Sequence, residues 1–352
     1  MLLFAVAGAQ ALDVSRAVPQ VPGEQMAMGR AGIAVAHGPK GLYLNPAAPA
    51  VRTLENRAQV SVKATASLSS VIQASGVDVG QLGLEDRWTG VDMLYGGALL
   101  VRNGAGSVVS SRSWRTTDDA LSLGIRETHA SGAWARASGR YAFGVGYRTL
   151  LVDGVAADGT ATRYSGRGIE AGVMRFDDGL NLGALVRLPV RAAATTPVEG
   201  VPDMAVQPLE VGLGLAWRGS GPWTGLPTRF CFDLVLRAPV EGLSHEAALL
   251  GVSGTEPSSW GISPRLGMEL APIEDRLRVR GGAWVQAPKA GREPVLHVTT
   301  GIQVRVMDVH IGRSDRSLGL STAVDISNGY DEISWVTLGF FDSGEVGVPW
   351  SP

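Results

Sequence analysis

The chain is short of residues that mark several common classes of protein. It has one cysteine and three lysines among its 352 residues, and only 18% of its residues are charged. A single cysteine, Cys231, excludes an intramolecular disulfide, and its place in the strand pattern 230–236 indicates a packing role rather than a nucleophile. The net charge is −2 and the basic charge is almost all arginine, so the composition argues against a polybasic segment that would bind nucleic acid.

Long apolar runs are also missing. No stretch offers the ~18 uncharged apolar residues that a transmembrane helix requires. Residues 1–11 are apolar and end in Ala9-Gln10-Ala11, the spacing of a signal-peptide cleavage site, although no basic residues precede the run. We interpret 1–11 as the remnant of a signal peptide, which implies export. The alternative is a coincidental apolar N-terminus.

The residue patterns of enzymes and metal sites are absent as well. The five histidines show no metal-binding spacing such as H-E-x-x-H, and neither a G-x-S-x-G elbow nor a dinucleotide-binding fingerprint occurs. The acidic pairs 118–119 and 177–178 fall at turns, where carboxylates are normally solvated. The sequence therefore predicts a protein that is not an enzyme and that uses neither a metal nor a cofactor.

What the chain does have is glycine, 47 residues of it, and a persistent alternation of apolar and polar residues from 57 to 341. Alternation with a period of two predicts β-strands of ~9–11 residues separated by turns. The pattern is weak at 70–92, which we expect to be a loop or a short helical insert. Further loops are expected at 189–207 and at 238–260, the latter with a helical turn at 244–250. Neither a repeat nor a linker divides the chain, which we take as one domain.

Alternation alone fits a membrane β-barrel, a secreted β-sandwich or a propeller, and the lack of a blade-length repeat weakens the propeller. Three features favour the barrel: the strand length, a polar face rich in glycine, alanine and serine, and aromatic residues near strand ends. The aromatic residues expected to form interfacial girdles are Tyr141, Trp217, Trp284, Trp335 and Phe341. We therefore expect an all-β fold, an antiparallel transmembrane barrel of about 14 strands.

One segment before the strands has a different character. Residues 23–47 are rich in glycine and alanine and end in Asn45-Pro46-Ala47, a turn sequence. Small residues and positions such as Gly29 and Gly32 allow the backbone to pack closely in a confined space. The composition is typical of a plug inside another structure, and also of an ordinary loop-rich arm.

This segment resembles the N-terminal signature of an outer-membrane barrel superfamily that contains the long-chain fatty-acid transporters (FadL type) and the PorV-type barrels of protein secretion. The matching residues are Ala27, Met28, Gly29, Ala31, Gly32, Ala34, Val35, Ala36, Leu42, Tyr43, Asn45, Pro46 and Ala47. The resemblance implies that residues 12–56 form a hatch inside a barrel of residues 57–341, followed by a tail at 342–352. The residues expected to shape the hatch are Met28, Gly29, Gly32, Tyr43, Asn45 and Pro46. The chain departs from the family pattern at Arg30, His37 and Gly38.

Charged residues recur on the polar faces of the expected strands, which would line the lumen. They are Arg187, Glu210, Asp233, Arg237, Glu269, Arg276, Arg278, Arg280 and Arg305. Charges away from water need partners, so one interpretation is a set of ion pairs that seals the lumen around the hatch. The alternatives are a wet channel wall and an arginine site for the carboxylate of an amphipathic acid.

The resemblance implies a monomeric barrel in the outer membrane of a Gram-negative bacterium, surrounded by membrane lipid and inserted by the outer-membrane assembly machinery. Its implied function is passive uptake of hydrophobic or amphipathic small molecules, with a fatty-acid-like ligand. The alternative is a PorV-type adaptor or shuttle whose partner is a secreted or surface protein, and a structural barrel of an envelope machine is a third hypothesis. A nucleic-acid partner is not expected.

Overall fold

The computed structural model describes residues 11–13, 26–51, 60–75, 86–101, 103–117, 122–135, 140–155, 161–177, 179–195, 204–220, 226–239, 243–244, 260–273, 276–286, 294–311, 314–327, 333–343 and 346–348. The strands are β1 (Ala11–Asp13), β2 (Val60–Ser75), β3 (Asp86–Val101), β4 (Gly104–Thr117), β5 (Ser122–Ala135), β6 (Tyr141–Val155), β7 (Ala161–Phe176), β8 (Leu180–Arg187), β9 (Val190–Ala194), β10 (Met204–Gln207), β11 (Glu210–Ser220), β12 (Pro227–Arg237), β13 (Leu243–Ser244), β14 (Gly261–Ile273), β15 (Leu277–Gln286), β16 (Val295–Ile311), β17 (Ser314–Ser327), β18 (Ile333–Ser343) and β19 (Val346–Val348). Two short 3₁₀ turns lie at Lys40–Tyr43 and Ala48–Ala50. In the part of the chain that is described, no helix is long and apolar enough to cross a membrane.

The long strands pair in a ring. Among the described residues, fourteen strands are antiparallel neighbours in the order β2 to β8, then β11, β12 and β14 to β18. The last of them, β18, pairs with β2 from Ile333↔Ala74 to Asp342↔Thr65, so the order of pairing returns to its start. This arrangement confirms the expected antiparallel barrel of about 14 strands, each strand hydrogen-bonded on both edges.

Three expectations about the strands were wrong. The segment 70–92, expected as a loop, belongs largely to the wall, because β2 and β3 stay in register as far as Ser75↔Asp86. Several strands exceed the expected length, and β16 has 17 residues. The expected loop 189–207 contains β9 and β10, which pair from Val190↔Gln207 to Ala193↔Met204. Pro189 interrupts the pairing where β8 ends and β9 begins, and Pro208 interrupts it where β10 ends and β11 begins. Each pair of successive strands therefore forms one kinked strand of the wall.

The remaining expectations concern the ends of the chain and one loop. The residues expected as a tail lie partly in the sheet, since β18 runs to Ser343 and β19 pairs with the start of β2. The strand β1 spans the expected end of the signal peptide and pairs in parallel with β10 and β13. The expected helical turn begins in β13, and its residues 245–250 lie outside the described part of the chain.

The two faces of the wall carry the opposite chemistry to a soluble protein. Exposed outward side chains are large and apolar, such as Val145 (62% exposed), Leu266 (54%) and Val298 (55%). Many inward side chains are small, polar or charged, and the larger apolar ones among them, such as Leu150, are buried. A soluble sandwich would place its apolar residues inward, so the alternation describes a barrel whose outer surface faces lipid.

Of the aromatic residues expected in girdles, Trp217 fits the expectation, Trp284 does not, and Tyr141 is half-buried. Trp217 is exposed on the outer face and stacks on Phe230 at a centroid distance of 5.8 Å. Trp284 does not belong to a girdle, and that expectation was wrong. It is 7% exposed, and its indole N–H donates to Asp325 Oδ2 at 3.2 Å, because its position in β15 shares the inward face with Arg280. The side chains of Trp335 and Phe341 lie outside the described residues.

The two ends of the barrel differ in their connections. One rim has short connections, such as 102–103, 177–179 and 312–313, and we call it the short-connection rim. The opposite rim carries longer ones, such as 195–203 and 238–260, and we call it the long-connection rim. The kinks of β8/β9 and β10/β11 lie toward the long-connection rim.

Candidate functional site

Residues 26–51 form a plug inside the ring of strands, which we call the hatch. Ala31, Leu42, Ala47 and Ala48 are fully buried, although the hatch contains only short 3₁₀ turns and no strand of its own. Its residues contact wall strands on opposite sides of the ring, from β6 and β7 to β15 and β16. The structure thus confirms a barrel with an N-terminal plug in its lumen.

Glycines of the wall form the seat of the hatch. A methyl group added at any of them would overlap hatch atoms, including the backbone of Pro46, Ile33, Met28 and Gly29. The wall glycines of this seat are Gly144, Gly172, Gly183, Gly214, Gly267, Gly282 and Gly301. Because glycine has no Cβ, the two backbones approach more closely than other residues allow. The glycine content of the polar faces therefore has a direct structural reason.

The first half of the hatch is held by wall side chains. The carboxylate of Asp233 in β12 accepts the N–H groups of Gly32 and Ile33 at 2.7 and 3.0 Å. Thr299 in β16 accepts the Gly29 N–H at 2.9 Å and donates to Ala27 O at 3.1 Å. Gly29 has φ +60°, a conformation that favours glycine, and a Cβ there would overlap β14 and β15.

The turn at Asn45 anchors the second half. The Asn45 side-chain amide donates to Val173 O at 3.3 Å and to Ala184 O at 3.2 Å, carbonyls of β7 and β8. Its Oδ1 accepts the N–H of Ala47 at 3.0 Å, which closes an Asx turn around Pro46. This one side chain therefore shapes the turn and fixes it to two wall strands.

Tyr43 joins the hatch to a group of buried charges. Its hydroxyl donates to the backbone carbonyl of Glu127 at 3.0 Å, and its ring lies 4.4 Å from that of His129. Burial raises the pKa of Tyr43 well above its usual value, so the phenol keeps the proton that it donates. The carbonyl of Tyr43 in turn accepts a hydrogen bond from Arg187 Nη2.

The charges around Tyr43 form one network on six wall strands, which we call the central charge cluster. Its members are Glu127, His129, Arg148, Glu170, Arg187, Glu210 and Arg237. His129 lies between Glu127 and Glu170 at 3.1 and 2.9 Å. Arg187 bridges Glu170 at 3.2 Å and Glu210 at 2.8 Å. Buried ions are stable only with such partners, so the cluster is a paired wall beside the hatch.

The expected lumenal charges divide into groups. Arg187, Glu210 and Arg237 join the central charge cluster, and Asp233 holds the hatch. Glu269 pairs with Arg280 at 2.8 Å and lies 3.9 Å from Arg278, in a separate cluster that includes Arg229. Arg305 is half-buried, whereas Arg276 is exposed in the turn before β15.

Four members of the central charge cluster, Glu127, His129, Arg148 and Glu170, were not expected there. Their positions in the period-two alternation indicate that they face inward. The alternation, however, gives only the face of a strand and not the partner across it. The partner of His129, Glu170, is 41 residues away in sequence, and only the register of β5, β6 and β7 brings the two together.

Apolar side chains line the lumen on both sides of the central charge cluster. Toward the long-connection rim lies a buried group that we call the upper apolar layer: Ile125, Leu150, Val152, Tyr164, Val190, Ala192 and Ala205. Toward the other rim, hatch residues such as Leu44 and Ala48 pack on Leu100 and Met174 of the wall. The lumen is therefore layered, with an apolar layer, a charged layer and the packed hatch.

A small cavity lies where the charged layer meets the hatch. It is lined by Tyr43, Glu127, His129, Arg148, Arg187, Gln207, Pro208, Glu210 and Arg237, and its volume is about 20 Å³. That space holds one or two water molecules. Among the described residues, no group of three or more metal-ligating side chains could hold an ion. The cavity itself is too small for an organic molecule.

The ring of strands, its apolar exterior and its seated plug define a membrane-spanning β-barrel closed by its own N-terminal segment. Solved structures with this fold include the Pseudomonas putida toluene transporter TodX, with a TM-score of 0.55 at 11% identity over 95% of this chain and 99% of that one. The CymD monoaromatic hydrocarbon channel matches with a TM-score of 0.59 at 11% identity, over 94% and 98%. A Pseudomonas aeruginosa FadL homologue matches with a TM-score of 0.55 at 11% identity, over 93% and 98%.

The fold is therefore FadL-like, and the solved barrels that share it are transporters and channels rather than enzymes. No protein-family model matches the chain. No curated protein matches it.

Proposed function

We propose that this protein is an outer-membrane channel that admits hydrophobic small molecules past a movable hatch. The observation that carries the proposal is the layered lumen, in which the upper apolar layer lies directly above the charge cluster that holds Tyr43 of the hatch. An apolar layer provides the favourable surface that a hydrophobic molecule needs on leaving water. The names of the structural neighbours, a toluene transporter and a monoaromatic hydrocarbon channel, support the same class of cargo.

The rims give the orientation. Bacterial outer-membrane barrels have short periplasmic turns and longer extracellular loops. The short-connection rim then faces the periplasm of a Gram-negative cell, and the upper apolar layer faces the cell surface. Cargo from outside would meet the apolar layer first and the charged layer next.

Passage requires movement of the hatch, because the cavity beside it, about 20 Å³, is too small for the cargo. Tyr43 is the hatch residue where such movement would start, since it contacts both His129 and Arg187 of the charged layer. The charges themselves are matched, which favours a neutral molecule or the apolar part of an amphipathic one. A long-chain fatty acid remains one candidate within this class.

Mass spectrometry of organic extracts from the detergent-purified protein tests the proposal, with a similarly purified porin as the control. We expect a hydrophobic molecule at a stoichiometric level in this protein and not in the porin. Equal traces in both proteins would contradict a hydrophobic-cargo channel. Co-purification of a secreted protein together with an empty barrel would favour the PorV-type adaptor instead.

A further inference from the structure

The outer wall has a basic patch that the proposed passage does not use. Five arginines lie on the outward face of β4 to β9, in the half toward the long-connection rim, and we call them the outer arginine patch: Arg112, Arg126, Arg163, Arg167 and Arg191. Their outward orientation follows from the burial pattern, since the next residue along each strand is buried and faces inward, as Glu127 does beside Arg126. Asp153 is the one carboxylate among the described outward residues of this region, and it pairs with Arg163 at 2.5 Å.

The register brings like charges face to face. Arg112 is directly opposite Arg126 in the β4–β5 pair, and Arg167 is directly opposite Arg191 in the β7–β9 pair. Like charges in directly opposite positions destabilise a sheet. Among the described residues, the guanidinium groups of Arg167 and Arg191 have neither a hydrogen-bonding nor an ion-pairing partner. The fold itself therefore gives no favourable reason for this arrangement, whereas an anion bound between the guanidinium groups would.

The depth of the patch matches the edge of the lipid. On β7 the outward residue below Arg167 is Ile169, which is 52% exposed, and on the neighbouring strand Leu188 is 46% exposed. Trp114 is 42% exposed on β4 beside Arg112, whose guanidinium carbon lies 5.5 Å from the indole centroid. Exposed tryptophan marks the interface of a membrane barrel, so the arginines lie at the level of lipid headgroups.

Among the side chains that the structure describes, the patch lies on one side of the barrel. On the opposite wall the outward residues stay apolar to the same rim, as in Ile262, Leu296 and Ile326. A general property of the interface would appear around the whole ring. A localised cluster with four more positive than negative groups instead indicates a specific anionic partner.

We propose that the outer arginine patch binds the phosphate groups of the phosphorylated glycolipid headgroup in the outer leaflet, with Arg167 and Arg191 as its centre. Guanidinium groups bind phosphate through two parallel charge-assisted hydrogen bonds, which lysine cannot reproduce. The inference rests on the outer-membrane placement proposed above, and it is independent of whether the barrel transports anything.

Native mass spectrometry of the detergent-purified full chain tests the site, with bisphosphorylated lipid A and its dephosphorylated form as the two probes. We expect the wild type to retain the phosphorylated form at least about tenfold more strongly, and Arg167→Gln/Arg191→Gln to lose that preference. The matched control is Arg140→Gln/Arg175→Gln, which removes two exposed arginines at the other rim and should behave as the wild type.

The design separates binding from folding and from transport. Heat-modified migration on gels shows that each barrel is folded, and Arg167→Lys/Arg191→Lys keeps the charge if the glutamine variant fails to fold. This lysine variant should keep only part of the preference. Equal retention of both lipids by the wild type, or an unchanged preference in a folded glutamine variant, would overturn the proposal. Uptake measured in parallel reports on the channel function alone.

Discussion

The glycine seat allows a test in which one added methyl group displaces the hatch and leaves the wall strands intact. In Gly172→Ala the new Cβ would lie 2.8 Å from Pro46 Cδ and 3.0 Å from Asn45 Cγ, where ordinary contacts are 3.4–4 Å. The turn must withdraw, which weakens the Asn45 bonds to Val173 O and Ala184 O. Two net hydrogen bonds are worth roughly 1–3 kcal/mol, so the undocked hatch should become about 5–150-fold more populated.

The wall should not suffer from this change. Alanine within a strand is more favourable than glycine by roughly 0.5–1 kcal/mol. Gly132→Ala is the matched control, since nothing lies within 4 Å of a Cβ built at Gly132. Single-channel recording in planar bilayers should show more frequent open events for Gly172→Ala only. Equal leak from the two variants, both folded, would refute the account of the seat.

Other changes at the hatch give related expectations. Asp233→Ala removes the acceptor of two hatch N–H groups, and solute leak into liposomes should rise at least about tenfold; a silent variant would contradict this anchor. Asn45→Ala/Pro46→Ala should raise the conductance of reconstituted barrels, because the turn loses its wall contacts, and unchanged conductance would count against a gating hatch. Cys231 is 1% exposed beside the hatch, so maleimide should label it slowly in the wild type and faster in Gly172→Ala, as followed by intact mass; equal rates would show that the hatch does not shield it.

The sequence predicted the barrel because period-two alternation reports directly on the two faces of a strand. It failed at 70–92, where serine, glycine and aspartate on both faces weaken the alternation although the backbone pairing continues. It also failed at Pro189 and Pro208, since proline removes one donor and ends a pattern without ending a sheet. Trp284 was misplaced because its nearness to a strand end was given more weight than its inward parity.

The candidate site was predictable in part. The hatch followed from a local resemblance, and Arg187 and Glu210 followed from parity. The pairing of Glu127, His129 and Glu170 could not be derived, because it depends on the exact register of the three consecutive strands β5, β6 and β7. The position of Arg167 opposite Arg191 could not be predicted for the same reason, because it too depends on the register of two strands.

The most direct test of the central claim fixes the hatch to the wall. Ala34 of the hatch lies in the same buried cluster as Cys231, the single native cysteine, so Ala34→Cys supplies a pair for a short thiol cross-linker. Uptake of a neutral monoaromatic hydrocarbon and of a long-chain fatty acid is then measured before cross-linking, after it, and after reductive release, with wild type treated identically. The account predicts that cross-linking abolishes uptake and that release restores it. Undiminished uptake with the cross-link fully formed would contradict a movable hatch.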